Sequence, residues 1–227
     1  MGTQKMIPPS IYPTMDGDLM KRANLFRFIR EFHWKMNMPE AYYMEFGILN
    51  GECMVDAYRQ FRGVVSHYYG FDSFEGLPEL SMDDERALEH TPMLHQGNFK
   101  SMKKQYVKNS IISSCQISDD ELTLIDGFFS GILPDYNKSS LNINGSPLCI
   151  YIDCDLYSST VEVLKFIDSL IVTGTWILFD DYWVYRGSPN FGEQKAVREW
   201  MRDHERIGLS DYCNFNGFGK AFIAYEK

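Results

Sequence analysis

A chain of 227 residues, 44% hydrophobic and 23% charged, can bury one full core, and its composition excludes a disordered or fibrous class. The net charge of −9 and a pI near 5.0 argue against nucleic acid as a partner, because phosphate backbones are held by clustered lysine and arginine. Five scattered cysteines with no CxxC pair fit free thiols in a reducing cytoplasm, and the absence of a signal-peptide core or a membrane-length apolar run predicts a cytoplasmic protein with no membrane partner.

The segment from Asp18 to Trp34 places Leu19, Leu25, Phe28, Ile29 and Phe32 at mostly helical spacing. "YYMEFGILNGECMVDAYRQFRG" then reads as a strand ending near Glu45, a turn carrying Gly47 and Gly51, and a helix closed by Gly63. "VVSHYYGFDSF" is a second strand ending at Asp72, and "LTLIDGFF" a third ending at Asp126. "SPLCIYIDCD" is a fourth, followed by a helix whose Val161, Leu164, Ile167, Leu170 and Ile171 share a face, with Ser159 and Glu162 spaced as a capping box. "TWILFDD" is a fifth strand, and "SDYCNFNGFGKAFIAYEK" reads as a hairpin turning around Gly217 and Gly219.

Near-continuous apolar strands alternating with helices predict an α/β fold, a doubly wound, mostly parallel sheet ending in an antiparallel hairpin. All of 1–227 reads as a single domain, with a helical extension over about residues 1–40. The polar stretch from 79 to 96 is expected to cover a site as a lid.

Ligands of such sheets gather outside the carboxyl ends of the strands, where this sequence puts Glu45, Asp72, Asp126, Asp153 with Asp155, and Asp180 with Asp181. Aspartate is also common at strand ends for purely structural reasons, so the weight lies in the repetition. Glu45 and Gly47, with Asp72 27 residues beyond Glu45, resemble half of a nucleoside fingerprint. "GILNG" lacks the triple-glycine turn that a pyrophosphate needs, which disfavours NAD and leaves S-adenosylmethionine as the matching adenosine cofactor.

Asp153 and Asp180 lie 27 residues apart, one strand, helix and strand unit. If those strands are neighbours, their ends are about 4.8 Å apart, close enough for Asp153, Asp180 and Asp181 to share one Mg²⁺. Asp155, two residues from Asp153, projects to the same side and is the candidate general base; a fourth ligand or a helix cap are its other readings. Trp183 and Tyr185 follow the acids into a loop where aromatic faces could meet a sugar ring, or simply pack.

In order, "GFDSFEGLP", "QGNF", "LIDGFFSGILP", "YIDCDLYSST" and "ILFDDYW" resemble the macrocin O-methyltransferase family across about residues 42–200. The resemblance implies a Rossmann-like, class I methyltransferase that uses S-adenosylmethionine and Mg²⁺ to methylate a sugar hydroxyl in a glycan or a glycosylated natural product. It assigns Asp153, Asp180 and Asp181 to the metal and Asp155 to the base. It assigns Glu45, Gly47, Asp72, Ser73, Asn98, Asp126 and Gly127 to the cofactor. The expected partner is a small molecule or glycan with sugar hydroxyls; self-association is left open. The rival readings are a DxD-type glycosyltransferase, which leaves Asp180 and Asp181 one unit after Asp153 unexplained, and a non-catalytic nucleoside-binding module, which would not need Asp155.

Overall fold

The computed structural model describes residues 21–141, 143–202 and 204–227. The first helix, α1 (Arg22–Lys35), buries Leu25, Phe26, Ile29 and His33; the expected start at Asp18 lies outside the described residues, as does most of the expected N-terminal extension. Strand β1 (Ala41–Phe46) is buried at every position, as a central strand covered on both faces must be. Helix α2 (Glu52–Phe61) and strand β2 (Val65–Asp72) follow. The stretch expected to be irregular contains a short helix, α3 (Met82–Ala87), and α4 (Lys104–Cys115) lies beyond it.

Strand β3 (Leu122–Asp126), the single turn α5 (Phe129–Ile132), β4 (Ser146–Ile152), α6 (Tyr157–Ile167), β5 (Trp176–Phe179) and α7 (Gly192–Arg202) continue the alternation. Strands β6 (Ile207–Phe215) and β7 (Gly219–Glu226) form the expected hairpin. The seven strands form one sheet in the order β3-β2-β1-β4-β5-β7-β6. The first five are parallel, and β7 joins β5 antiparallel.

Each face of the sheet carries its own core. Leu25, Phe26, Met54, Phe61, Val107 and Ile111 from α1, α2 and α4 pack on Tyr43, Tyr151 and Trp176. On the opposite face, Val163, Leu164, Ile167, Ala196 and Val197 from α6 and α7 pack on Tyr42, Met44, Phe46, Ile150, Ile152, Ile177 and Phe179. The strand residues alternate between the faces with the period of two that a pleated strand requires. Each such side chain, fully buried, contributes roughly 1.5–3 kcal/mol.

One expected cap is replaced. Helix α6 starts at Tyr157 behind Leu156, which offers no side-chain cap, so Ser159 lies inside the first turn and is not its N-cap. The Ser158 amide instead meets Asp84 Oδ1 of α3 at 3.4 Å, a partner 74 residues away that local spacing could not suggest. No helix among the described residues is long and apolar enough to cross a membrane, and the five cysteines are free.

Candidate active site

The strand order reverses between β1 and β4, and the chain leaves the sheet there in a continuous row. Asp72 pairs with Asp126 in register. The Gly127 amide donates to Asp72 O, the Gly47 amide to Phe71 O, the Asp153 amide to Phe46 O and the Asp180 amide to Ile152 O, all at 2.8–3.0 Å. The ladder therefore runs one residue past the strands and aligns these backbones along one edge. A pocket of about 380 Å³ opens above it, within the usual range for small-molecule sites.

At the pocket floor, Asp153, Asp155 and Asp181 each present a carboxylate oxygen, and the three oxygens lie within 4.8 Å of one another. Burial, and then the neighbouring acids, hold Asp153 and Asp181 well above the usual carboxylate range, while burial pushes Asp155 up to about 6 against an opposing hydrogen bond with Asp181, Asp180 adding a smaller push. Burial is the largest cause in each case. Oxygen-only donors that converge and repel one another suit a hard dication, which removes the repulsion by binding.

Asp180 departs from the expectation. Its Oδ1 accepts from the Tyr151 hydroxyl and stands 3.5 Å from Asn216 Nδ2, and it does not join the three clustered oxygens. The pleat gives the reason. Ile177 and Phe179 face α6 and α7, so the next residue turns toward the Tyr151 side, while Asp181 turns back toward α7.

Of the residues expected to touch a cofactor, Gly47, Asp72, Ser73 and Gly127 line the pocket. Asp72 ties the first turn: its Oδ2 accepts from the Ile48 and Leu49 amides at 2.7 and 3.0 Å, and its Oδ1 from Phe74 N at 2.6 Å. Ser73 Oγ donates to Gly76 O at 2.8 Å. Asn98, Asp126 and Glu45 are not among the lining residues. The Asn98 amide is bound to Met93 O at 2.6 Å, and Asp126 faces Lys104 at 3.9 Å.

Glu45 is fully buried beneath the edge, on the α1 and α2 side set by Tyr43. Its Oε2 accepts from the Tyr43 hydroxyl at 2.7 Å, and its Oε1 has no partner. Burial pushes its pKa from 4.5 to about 8, against a smaller opposing effect of the Tyr43 hydrogen bond. Between those values the folded protein keeps a proton that the unfolded chain has released, so stability falls as pH rises through the window and levels off above it. Glu45→Gln should therefore match the wild type near pH 4.5 and exceed it near pH 8, by at most on the order of 4 kcal/mol. Urea unfolding of the metal-free proteins at both pH values checks this, and a gap that stays constant with pH would refute it.

The stretch expected as a lid packs on the pocket's side through Ala87 and Leu94, beside Leu77 just before it, against Leu156 and Tyr185. Its α3 carries a full Ser81 and Asp84 capping box, and Lys195 of α7 reaches Asp83 at 3.4 Å while lying 3.3 Å over the Tyr157 ring. His90 lies against Phe191 in a tilted pair with ring centroids 4.9 Å apart and does not line the pocket. Neither Trp183 nor Tyr185 lines the pocket: Trp183 Nε1 donates to Asn214 Oδ1 at 3.1 Å, and Tyr185 is buried with its hydroxyl on Asp155 O. The wall is instead largely apolar, with Leu49, Met93, Phe99, Phe128 and Phe218 both lining it and exposed at its mouth.

A mostly parallel seven-stranded sheet with a C-terminal antiparallel hairpin and a ligand edge at the β1/β4 reversal is the class I methyltransferase fold. The chain belongs to the macrocin O-methyltransferase family, whose model matches residues 8–208. A relative from Streptomyces olivaceus, 8-demethyl-8-(2,3-dimethoxy-alpha-L-rhamnosyl)-tetracenomycin-C 4'-O-methyltransferase, is 26% identical over 147 residues, 62% of this chain. The match spans about half of that relative, 48% of its length.

Two solved structures share the fold at 18% identity and a TM-score of 0.65. They are the O-methyltransferase NovP, over 89% of this chain and 78% of that one, and the calicheamicin methyltransferase CalS11, over 90% and 80%. A Podospora anserina methyltransferase, PaMTH1, with S-adenosylhomocysteine bound, aligns at 12% identity with a TM-score of 0.55, over 91% of this chain and 78% of its own.

Proposed function

We propose that this chain is an S-adenosylmethionine-dependent O-methyltransferase, assisted by Mg²⁺, that methylates a sugar hydroxyl on a glycosylated natural product. The observation that carries the reading is the convergence of Asp153, Asp155 and Asp181 on the floor of a pocket whose wall also holds Gly47, Asp72, Ser73 and Gly127. Membership of the family and the sugar-methylating relative support the same acceptor class. The five exposed apolar side chains at the mouth favour a sugar carried on an apolar scaffold over a free sugar. Residues 1–227 act as one methyltransferase domain, with 79–96 as its cover.

Asp153 and Asp181 would hold the cation, which when bound lowers the pKa of an acceptor hydroxyl and draws off its developing charge. Asp155 accepts the hydroxyl proton at its carboxylate. Asp180, whose Oδ1 is engaged by Tyr151 and Asn216, adds negative charge behind the pair. Asp72 Oδ1 accepts one backbone N–H and keeps a lone pair for a ribose hydroxyl. The flat apolar faces of Phe128 and Phe129 at the end of β3 suit an adenine ring. Glu45, Asn98 and Asp126 act at one remove, through the segments they hold. Direct displacement at a methyl group needs no covalent intermediate on the protein, so positioning of donor and acceptor supplies most of the rate.

Calorimetry with S-adenosylmethionine, and separately with a UDP-sugar, tests the reading: the first should bind and the second should not, and the reverse would sink it. A screen of glycosides for methyl transfer then identifies the acceptor. In the active enzyme, Asp155→Asn should keep cofactor and Mn²⁺ affinity within about threefold while turnover falls by roughly 10²–10⁴. Normal turnover in that variant would remove Asp155 as the base.

A further inference from the structure

The two turns that carry the clustered acids are both held from the first turn of α7 and the loop before it. At Asp155 the chain makes an unusual bend: φ is +58, and the Leu156 amide donates to Cys154 O at 2.5 Å across the single intervening residue. This is a γ-turn on the positive-φ side, rare and strained for a residue with a side chain. Such a conformation costs on the order of 1–3 kcal/mol and persists only where neighbours hold it.

The neighbour is Tyr185. Its hydroxyl donates to Asp155 O at 2.8 Å, and the residue is 1% exposed. Its ring packs against Gly192, where an added Cβ would stand 2.1 Å from Tyr185 Cε2. Phe191 flanks the ring at 6.2 Å. One residue past Gly192, Glu193 is fully buried, and its Oε2 accepts from the Asp181 amide at 3.0 Å. Consecutive residues of one helix start thus support the tyrosine that holds one acid-bearing turn and directly hold the other.

We infer that Tyr185 and Glu193 are positioning residues that set the distance between the Asp155 and Asp181 carboxylates. The inference rests on the proposed methyltransferase reading. Without the Tyr185 hydroxyl the γ-turn relaxes and Asp155 swings from the place where it meets the acceptor; a misplacement near 1 Å costs about 10²-fold in rate. Without the Glu193 oxygen the Asp181 turn loses its anchor, and partners of metal ligands typically account for about 10–100-fold in metal affinity.

The test measures Mn²⁺ binding by calorimetry in the absence of cofactor, steady-state kinetics, and thermal unfolding for Tyr185→Phe, Glu193→Ala and Glu193→Gln. Tyr185→Phe should lower kcat by about 10–100-fold, with KM for S-adenosylmethionine and Mn²⁺ affinity both within about threefold. Glu193→Ala should weaken Mn²⁺ about tenfold or more, and Glu193→Gln, which keeps an oxygen acceptor, should restore it. All three variants are assayed at least ~10 °C below their own unfolding temperatures, so a loss of folded protein is not read as a loss of positioning.

Wild-type kcat in Tyr185→Phe, or wild-type Mn²⁺ affinity in Glu193→Ala, overturns the inference, as does a Glu193→Gln protein no better than Glu193→Ala. If the unaltered protein binds Mn²⁺ but not S-adenosylmethionine, the methyltransferase reading fails while the glutamate variants still decide the inference. Failure of the unaltered protein to bind Mn²⁺ overturns the inference together with the cation role.

Discussion

Asp153→Asn is expected to abolish cation binding and to lower turnover by on the order of 10³-fold or more, while raising the unfolding temperature of the metal-free protein. The first half follows from the role proposed for Asp153: loss of a ligand removes charge stabilisation worth several kcal/mol in the transition state, at about 1.4 kcal/mol per factor of ten. The second half follows from the unliganded cluster. Burial first, then Asp181, Asp180 and Asp155, push the Asp153 pKa well up. The folded protein therefore holds protons there that the unfolded chain releases, and it loses stability as pH rises past the ordinary aspartate value.

Replacing one acid by its neutral isostere relieves that repulsion with almost no change of shape. A gain of about 1 kcal/mol would raise the midpoint by roughly 2–4 °C in a chain of this size. Scanning calorimetry at pH 8 with a chelator, paired with Mn²⁺ titration, measures both halves. A variant that still binds Mn²⁺ with wild-type affinity removes Asp153 from the ligand set, and a lowered midpoint contradicts the account of mutual repulsion.

Gly47→Ala should be the most damaging glycine-to-alanine change among the described residues. Gly47 has φ +90, and an added Cβ would stand 1.9 Å from the Asp153 carbonyl oxygen. Neither backbone can yield, because the Gly47 amide is bonded to Phe71 O at 2.9 Å and the Asp153 amide to Phe46 O at 2.8 Å. Gly63 is a natural control: φ is +88, but nothing lies within 4 Å of its Cβ position, so Gly63→Ala registers backbone strain alone, about 1 kcal/mol. Gly47→Ala adds the collision and should cost roughly 2–4 kcal/mol. Because the collision is with the metal-side turn, S-adenosylmethionine and Mn²⁺ affinity should fall together. Equal urea midpoints for the two variants would refute the steric argument.

The fold was legible because its strands are apolar runs that end in acids, and the structure puts Asp72 opposite Asp126 and continues the row through Gly47, Asp153 and Asp180. What was not legible depended on pleat or on distant partners. "FDD" announces two acids at a strand end, but alternation sends Asp180 to Tyr151 and Asp181 to the pocket. The same alternation buries Glu45 under the edge and keeps it out of the pocket wall. The α6 cap went astray because the sharp bend at Asp155 starts the helix two residues before Ser159 and the cap comes from Asp84.

Helix α4 leaves no mark in the sequence because only Val107 and Ile111 are buried along its 12 residues, too few to give a periodic signal. Glu193 carried no signal either. An acid in the first turn of a helix is ordinary on electrostatic grounds, and only the packing reveals that this one is buried against Asp181. The sequence singles out Tyr185 for its ring, whereas the structure uses its hydroxyl.

The pocket divides its labour by chain segment. The acids and the first glycine turn stand on the edge of the central sheet, where the backbone ladder fixes them. Met93 and Phe99, Phe128, and Phe218 come from three separate connections around the mouth. Recognition of the scaffold can therefore drift, or be diversified in a library at those four codons, while the reaction chemistry is inherited unchanged. On the proposed reading, a fold arranged in this way lets one lineage place the same methyl group on sugars carried by many different scaffolds.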